Sequence, residues 1–237
     1  MRPIQGLDLH IHSTWSDGSA SPREILKYAA SQGFFVAITD HFSKHPAKKS
    51  LVFKQVDLYL DELYNLKNQF KFFIGLEIDT YSIPNFREIL ESLPTWRFDF
   101  LLFEYVIDQV GISYFPKRTN WREIFYQLNT FVDQLPSNSL PIGLSHPHLG
   151  VLSNKEFEEF SQIIGEHSFI VELNTFYENF RDPRFHTLLK KGYSVTIGTD
   201  SHSLDKIAHT ESLFAFFDEE ELLARLPDFI RKKWKKK

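Results

Sequence analysis

The stretch LDLHIHSTWSDG, residues 7–18, is the part of the sequence richest in side chains that can do chemistry. Its apolar and polar residues alternate up to His12, and a period of two is typical of a β-strand. On such a strand His10 and His12 share one face, where two imidazoles can bind one divalent ion or two adjacent ones. The Asp17-Gly18 pair favours a turn that returns a carboxylate to the same place. The stretch therefore predicts a metal-binding strand and turn.

Further side chains of the same types follow other apolar runs, where predicted strands end. They are His41 after FFVAIT (34–39), Glu77 within KFFIGLEI (71–78), His146 after LPIGLS (140–145), and Asp200 and His202 after YSVTIGT (193–199). In a parallel barrel the carboxyl ends of the strands share one face, and active sites are built on that face. We therefore expect these side chains to converge on one site.

Amphipathic segments separate the apolar runs and predict helices. Ser21 and Glu24 have the spacing of a capping box, and Gly33 is placed to end the helix that follows. Ser153 and Glu156 form a second capping box. Continuous apolar strands, each followed by a helix, are typical of a parallel sheet that is buried on both faces. Seven such units without a linker predict an α/β protein with one closed or nearly closed barrel.

The composition limits the kind of site that the chain can build. The 237 residues include no Cys, which excludes disulfides and thiolate ligands, so any metal must be held by nitrogen and oxygen. Such ligands suit Zn, Mn or Fe. The hydrophobic fraction of 42%, with 24 Phe, is enough for one large core. We expect one domain over residues 1–237, with the basic tail 231–237 (RKKWKKK) solvated.

Charge and hydropathy bear on partners and location. The net charge of −4 gives no indication of nucleic-acid binding, although it leaves such binding open. The N-terminal residues lack the apolar run of a signal peptide, and no apolar stretch is long enough to span a membrane. We therefore expect a cytoplasmic protein without a membrane partner. The sequence does not predict an oligomeric state.

Five motifs together resemble those of the PHP (polymerase and histidinol phosphatase) metal-dependent phosphoesterases. They are DLHIHSTWSDG at 8–18, ITDH at 38–41, GLEI at 75–78, SHPH at 145–148 and GTDSH at 198–202. The resemblance implies a distorted (β/α)7 barrel of the PHP type, with a cluster of two or three divalent ions at the carboxyl ends of the strands. The ligands implied by these motifs are His10, His12, Asp17, His41, Glu77, His146, Asp200 and His202.

The sequence departs from that family pattern at the predicted fourth strand. Family members often place a metal-binding His at its end, whereas residues 99–106 here read DFLLFEYV and contain no His. Glu104 is the candidate replacement, but strand alternation allows either Glu104 or Tyr105 to point inward. The sequence therefore leaves open a binuclear site, or a trinuclear site in which a carboxylate replaces an imidazole.

The function implied by the resemblance is hydrolysis of a small phosphate ester, either a phosphomonoester or a nucleotide-type ester, by a metal-activated hydroxide. We expect Asp200, His12 and His146 to be catalytic through the metal site. The candidate substrate-binding residues are Arg118, Arg181, Arg184 and Asn174. Asp8 and Asp40 are candidates to accept hydrogen bonds from the ligating imidazoles. Two other functions stay open: a metal-dependent hydrolase of C–N bonds, and a degenerate metal-binding module without activity.

Overall fold

A computed structural model of the protein describes residues 4–43, 49–80, 89, 93–104, 106–107, 121–135 and 140–235. Eight strands occur in these residues. They are β1 (Leu7–Asp8), β2 (Phe35–Ile38), β3 (His41–Phe42), β4 (Phe73–Asp79), β5 (Phe100–Glu104), β6 (Ile142–Leu144), β7 (Ile170–Asn174) and β8 (Val195–Gly198). Every strand pair among them is parallel.

The strands form one sheet in the order β1-β2-β4-β5-β6-β7-β8, and β3 also pairs with β4. Strand β3 prolongs the line of β2, since Ile38 pairs with Ile74 of β4 and His41 pairs with Glu77 further along it. Backbone hydrogen bonds then join the two ends of the sheet, with Leu9 N donating to Ile197 O at 2.8 Å. The protein is therefore a distorted (β/α)7 barrel with seven strand positions, which confirms the predicted fold class.

Asp8 helps to close this barrel. Its buried carboxylate accepts hydrogen bonds from Thr199 Oγ1 at 2.5 Å, from Thr199 N at 3.1 Å and from Ala208 N at 2.9 Å. Burial raises the pKa of Asp8 to about 6, although these donors favour the charged form. The carboxylate therefore links the first strand to the segment after the last strand. Its described hydrogen bonds stabilise the fold, and none of them comes from an imidazole ring, contrary to the prediction for Asp8.

Seven α-helices lie in the described part of the chain. They are α1 (Pro22–Gln32), α2 (Phe53–Lys67), α3 (Trp121–Gln134), α4 (Asn154–His167), α5 (Pro183–Lys190), α6 (Glu219–Arg225) and α7 (Asp228–Lys235). Both predicted capping boxes are confirmed, with Ser21 before α1 and Ser153 before α4. Gly33 ends α1 at a φ of 74°, a left-handed conformation that glycine adopts without steric cost. None of these helices combines the length and apolar character needed to cross a membrane.

The strands read as continuous apolar runs because the sheet is covered on both sides. All residues of β2 and β4 are buried, and so are those of β5 to β8. Phenylalanine rings fill much of the space between the layers. Phe73 meets Phe35 edge-on at 5.1 Å between ring centroids and Phe100 at 6.5 Å. Such packing holds the strand ends, and hence the side chains just beyond them, in fixed positions.

The predicted solvated basic tail is wrong for its first part. Residues up to 235 belong to α7, and Trp234 is 4% exposed, with its ring 5.6 Å from that of Phe35. Lys233 donates to Phe72 O at 3.0 Å, and its ammonium lies 4.1 Å from the ring centroid of Phe73. The helix is amphipathic, so Lys233 extends its aliphatic part over apolar surface while Trp234 closes the core.

Candidate metal centre

The N-terminal strand and its extension bring two imidazoles and a carboxylate together. Nε2 of His12 lies 3.0 Å from Nε2 of His10 and 2.7 Å from Oδ1 of Asp200. His10 and His12 therefore share a face, as their spacing predicts. Asp200 reaches them from the end of β8 because β8 and the extension of β1 are neighbours, joined by a parallel bridge between Ile11 and Ser201.

The turn after this strand returns Asp17 to the same place. Gly18 N donates to Ser13 O at 3.0 Å, and a Cβ on Gly18 would overlap the backbone carbonyl of His12, so only glycine allows this close approach. Asp17 Oδ1 lies 3.1 Å from His202 Nε2, and Asp17 Oδ2 lies 3.5 Å from His41 Nε2. The turn thus places a half-exposed carboxylate at the mouth of the cluster, between predicted ligands from both ends of the chain.

Glu77 lies at the centre of the cluster and is fully buried. Its carboxylate oxygens are 2.6 Å from His41 Nδ1, 3.4 Å from His10 Nε2 and 3.3 Å from His146 Nε2. Ser145 Oγ also donates to it at 2.6 Å. One carboxylate on β4 therefore contacts imidazoles from three other strand ends.

Glu104, at the end of β5, points into the cluster. The side chain is buried, with Oε2 3.8 Å from His41 Nδ1 and Oε1 3.9 Å from His146 Nε2. The orientation that the sequence leaves open is therefore inward for Glu104, while Tyr105 lies outside the described residues. A carboxylate thus lies at the end of the strand where the resemblance implies that family members often have a histidine.

Three overlapping groups of side chains have ligand atoms that lie within 4.8 Å of one another. They are His12, Asp17, His41 and His202; His10, His12 and Glu77; and His41, Glu77 and Glu104. His146 and Asp200 adjoin these groups through the contacts already described. All nine predicted ligands therefore lie in one cluster at the carboxyl ends of the strands.

The protonation state of His12 is compatible with binding of a metal cation. Burial and the nearby charge of His41 lower the pKa of His12 to about 3, so its imidazole is neutral near pH 7. Its Nδ1 is buried, lies 3.8 Å from Asp17 Oδ1, and has no hydrogen-bond partner among the described residues. A neutral imidazole with such an atom has the form in which histidine binds divalent metals. Imidazole and carboxylate ligands together suit Zn, Mn or Fe.

Neighbouring imidazoles lower the pKa values of three carboxylates of the cluster, Asp17, Glu77 and Asp200, and so favour their charged form. Burial alone would raise the pKa of Asp200, but the adjacent His10 and His12 outweigh burial and hold the pKa below its ordinary value. Burial would likewise lower the pKa of His10, but the surrounding carboxylates, Glu172 foremost, raise it well above its ordinary value. A protonated imidazole between carboxylates marks a position where a cation can replace the proton.

Glu172 on β7 supports the cluster, a role that is not predicted above from the sequence. Its Oε1 accepts from His10 Nδ1 at 2.8 Å, and its Oε2 accepts from the backbone N of His146 at 2.7 Å. A carboxylate behind a ligating histidine fixes the ring and its tautomer. We predicted this role for Asp8 and Asp40, but Asp40 accepts from Ser13 and Ser16 and so fixes the loop that carries Asp17.

Two residues of the cluster adopt left-handed backbone conformations. The φ angles are 28° for His146 and 52° for Asp200, values uncommon for residues other than glycine. Each such conformation costs on the order of 1–3 kcal/mol and persists where surrounding contacts enforce it. For His146 the bond from its backbone N to Glu172 is one of those contacts. Both conformations turn the chain sharply just beyond a strand, as a side chain aimed at the barrel mouth requires.

The predicted substrate-binding residues fall in different environments. Arg184 donates to Leu149 O and Leu152 O, both at 3.0 Å, so its guanidinium fixes a loop between β6 and α4. Asn174 Oδ1 accepts from two backbone N–H groups of the turn after β7. Arg181 is about half exposed and pairs with Glu178 at 2.7 Å. Arg118 lies outside the described residues.

A cavity of about 570 Å³ adjoins the cluster. Asp200 and His202 belong to both the cluster and the cavity wall. Phe176, Lys206 and His209 also line it, so the wall combines an aromatic ring with cationic or ionisable side chains. The volume lies in the range of small-molecule sites, roughly 300–1,000 Å³.

The chain is similar to known proteins both in structure and in sequence. A solved structure of histidinol phosphate phosphatase from Lactococcus lactis subsp. lactis Il1403, complexed with Zn, L-histidinol and phosphate, has a TM-score of 0.57 and 20% identity. The match covers 98% of this chain and 93% of that one, and it shows a common fold. The DNA polymerase/3'-5' exonuclease PolX of Bacillus subtilis (strain 168) is 36% identical over 76 residues. Those residues are 30% of this chain and only 13% of the length of that relative.

The match to a family covers far more of the chain than the match to PolX. It extends from Asp8, in the first motif, to residue 232 in α7, and so includes all nine residues of the cluster. Because the PHP domain model matches residues 8–232, the chain belongs to the PHP domain family.

Proposed function

We propose that the protein is a metal-dependent phosphoesterase that hydrolyses a small phosphate ester. The main observation behind the proposal is the convergence of nine nitrogen- and oxygen-bearing side chains beside a cavity, seven of them in three overlapping groups and the other two, His146 and Asp200, in contact with these groups. Divalent ions held there would lower the pKa of a water molecule and neutralise the charge of a phosphate group. The Lactococcus protein of the same fold, complexed with Zn and phosphate, supports the same chemistry for this site.

Three residues of the cluster have the catalytic role in such a site. We assign the catalytic role to His12, His146 and Asp200, which would hold the ions, and Asp200 also lines the cavity. Asp200 and His12 are in direct contact at 2.7 Å, and His146 reaches Glu77 at 3.3 Å. Because these groups are buried and fixed by hydrogen bonds, they need little rearrangement during the reaction, which favours catalysis by electrostatic preorganisation.

We propose that the cluster binds two or three ions of Zn, Mn or Fe, with Glu104 as a ligand. The inward orientation of Glu104 supports this, since its buried carboxylate lies 3.8 Å from His41 Nδ1 and 3.9 Å from His146 Nε2, two predicted ligands. Its position beside His41 and Glu77 makes a third ligand group distinct from the one that contains Asp17. Each of the three groups contains a carboxylate, and the group that includes Glu104 contains two.

The cavity beside Asp200 is the proposed site for the rest of the substrate. Its volume fits a small phosphorylated molecule, and Phe176, 69% exposed, can stack on a ring. Lys206 can pair with an anionic group on the substrate. Arg181 is held near the cavity by its ion pair with Glu178, a residue of the cavity wall. Arg184 and Asn174 support loops, so we propose no direct contact between them and the substrate.

Phosphate release tests the proposed activity. Protein loaded with Mn or Zn should release phosphate or alcohol from members of a panel of phosphomonoesters and phosphodiesters. Asp200→Ala should lower the rate by about 100-fold or more, because even residues that only support metal ligands typically contribute 10–100-fold. Asp57→Ala, which removes a carboxylate that is 80% exposed on α2, should leave the rate unchanged.

Other outcomes of that panel would select the other two functions. Cyclic amides belong in the panel, because a hydrolase of C–N bonds would cleave them and leave the phosphate esters intact. Stoichiometric metal binding without turnover of any compound would identify a metal-binding module and would contradict the phosphoesterase proposal.

Glu104→Gln tests the third ligand group. Gln is nearly isosteric with Glu but binds these ions poorly, so the number of ions per chain and the rate should fall together. Glu166→Gln is the matched control, since Glu166 is exposed and bonds only to Gln162 among its described contacts. If Glu104→Gln keeps both the ion count and the rate, Glu104 is structural and the site is binuclear.

A further inference from the structure

A second cavity, of about 440 Å³, lies at the end of the barrel opposite the predicted metal ligands. Its wall includes Ile142 and Ile170, the first residues of β6 and β7, and Ser194, which directly precedes β8. These strands are parallel, so their amino ends lie across the barrel from the carboxyl ends that carry the cluster. Strand β7 alone spans roughly 13 Å, since a parallel strand rises about 3.3 Å per residue. The second cavity is therefore distinct from the one beside Asp200.

Apolar side chains form one part of the wall of the second cavity. Val132 of α3, Leu226 after α6 and Phe229 of α7 line it together with Ile142 and Ile170. The volume lies within the range of small-molecule sites, roughly 300–1,000 Å³. This part of the wall can bury the apolar portion of a ligand.

Arg225, the last residue of α6, brings a guanidinium to the same wall. Its Nε is buried and has no hydrogen-bond partner among the described residues. The guanidinium also forms no ion pair within the described part of the chain. Gly192 lies beside it at a φ of 90°, and a Cβ there would be only 3.3 Å from Nη1. The guanidinium is thus confined against the backbone while a buried donor lacks an acceptor, which is unfavourable.

Arg231 adds a second guanidinium to the wall, but its charge is compensated. It donates to Ala224 O at 3.4 Å and to the Asp228 carboxylate. Among the described residues, Asp228 is the only acidic one that lines the second cavity. Because this carboxylate pairs with Arg231, the positive charge of Arg225 has no counterion in the wall.

We propose that the second cavity binds a small organic anion, whose acidic group pairs with Arg225 and whose apolar part packs against Val132, Leu226 and Phe229. An arginine side chain offers parallel N–H donors that match the oxygens of a carboxylate, phosphate or sulfonate. An acidic group there would supply both the missing acceptor and the missing counterion. The site lies away from the metal centre, so the proposal does not rest on the phosphoesterase function.

Naphthalenesulfonate is a suitable probe, because it combines a large apolar ring system with an anionic group and is not a phosphate ester. In calorimetric titrations of the metal-loaded protein, we expect one molecule to bind per chain. Neutral naphthalenemethanol should bind about 10-fold more weakly or less, because a hydrogen bond to a charged group typically contributes at least that factor. Arg225→Gln should weaken binding of the sulfonate by a similar factor, with the fold checked by the melting temperature.

Lys206→Gln is the matched control, because it removes a cation from the wall of the cavity beside Asp200. Its affinity for the sulfonate should equal that of the wild type, and a loss would place the probe in that cavity and overturn the proposal. An unchanged affinity in folded Arg225→Gln would also overturn it. If Arg225→Gln does not fold, the wild type decides: equal affinities for the sulfonate and the neutral analogue, or no saturable binding of the sulfonate, would contradict the proposal.

Discussion

Glu172→Gln is the substitution that most clearly tests how the cluster is supported. Glu172 is 1% exposed, and its two oxygens accept from His10 Nδ1 at 2.8 Å and from the backbone N of His146 at 2.7 Å. Gln has nearly the same shape but only one acceptor oxygen. One of the two N–H groups must therefore face the NH2 of the amide, and the negative charge behind His10 is lost.

The size of the effect follows from these two hydrogen bonds. A hydrogen bond to a charged group contributes about 1.5–3 kcal/mol, and about 1.4 kcal/mol corresponds to a factor of ten in an equilibrium constant. If the bond stabilises mainly the metal-bound state, its loss lowers metal affinity by about 10- to 100-fold. Groups that accept a hydrogen bond from a metal-binding histidine typically contribute this much. Metal-free protein should also be less stable, because a buried N–H without an acceptor costs about 1–3 kcal/mol.

Competition titration with a chromophoric chelator measures the affinity, and urea unfolding of metal-free protein measures the stability. Glu166→Gln serves as the control, because Glu166 is exposed and accepts a hydrogen bond from Gln162. If Glu172→Gln binds Mn or Zn as tightly as the wild type, Glu172 does not support the metal ligands. A stability loss without an affinity loss would show that Glu172 supports the barrel but not the metal ligands.

Three further predictions concern stability. Removal of metal by exhaustive chelation should lower the melting temperature, because ligands from both ends of the chain would lose the cation that joins them; an unchanged melting temperature after confirmed metal loss would contradict this. Trp234→Ala should lower the free energy of unfolding by about 3–5 kcal/mol in urea titrations, as for other large buried aromatic residues, whereas a solvated tail would give no change. Ser153→Ala removes the cap of α4 and should cost about 1 kcal/mol by the same measurement.

The position of the cluster was predictable because strand ends have a simple geometric meaning. Apolar runs that end in His41, His146 or Asp200 indicate parallel strands, and parallel strands in a barrel place their carboxyl ends together. The capping boxes were predictable for a similar reason, since Ser and Glu at that spacing satisfy specific backbone donors. Such local rules hold without knowledge of distant contacts.

Glu172 was not predicted because it lies inside an apolar run, FIVELN, and a strand buried on both faces has no alternation to show where one acid points. The structure shows how the Glu172 side chain is accommodated. Gly198 on the neighbouring strand makes room for the Glu172 carboxylate, which a Cβ at position 198 would overlap. The orientation of Glu104 was open for the same reason and likewise depended on its neighbours.

The C-terminal helix was not predicted because its many basic residues obscure the helical spacing of its apolar residues. Ile230 and Trp234 are four residues apart and both buried, a spacing that places them on one face of α7. The intervening basic residues suggest a solvated segment when composition alone is considered. Arg184 is a comparable case, since a loop arginine can equally contact a substrate or the backbone carbonyls of a neighbouring loop, and only the fold decides.

The number of ions bound per chain decides whether the nine clustered side chains form one multinuclear metal centre. Protein stripped of metal, dialysed to equilibrium against Mn or Zn and then analysed for metal content should hold at least two ions per chain, because nine ligands exceed what one four-coordinate ion can use. Less than one bound ion per chain with both metals would contradict such a centre.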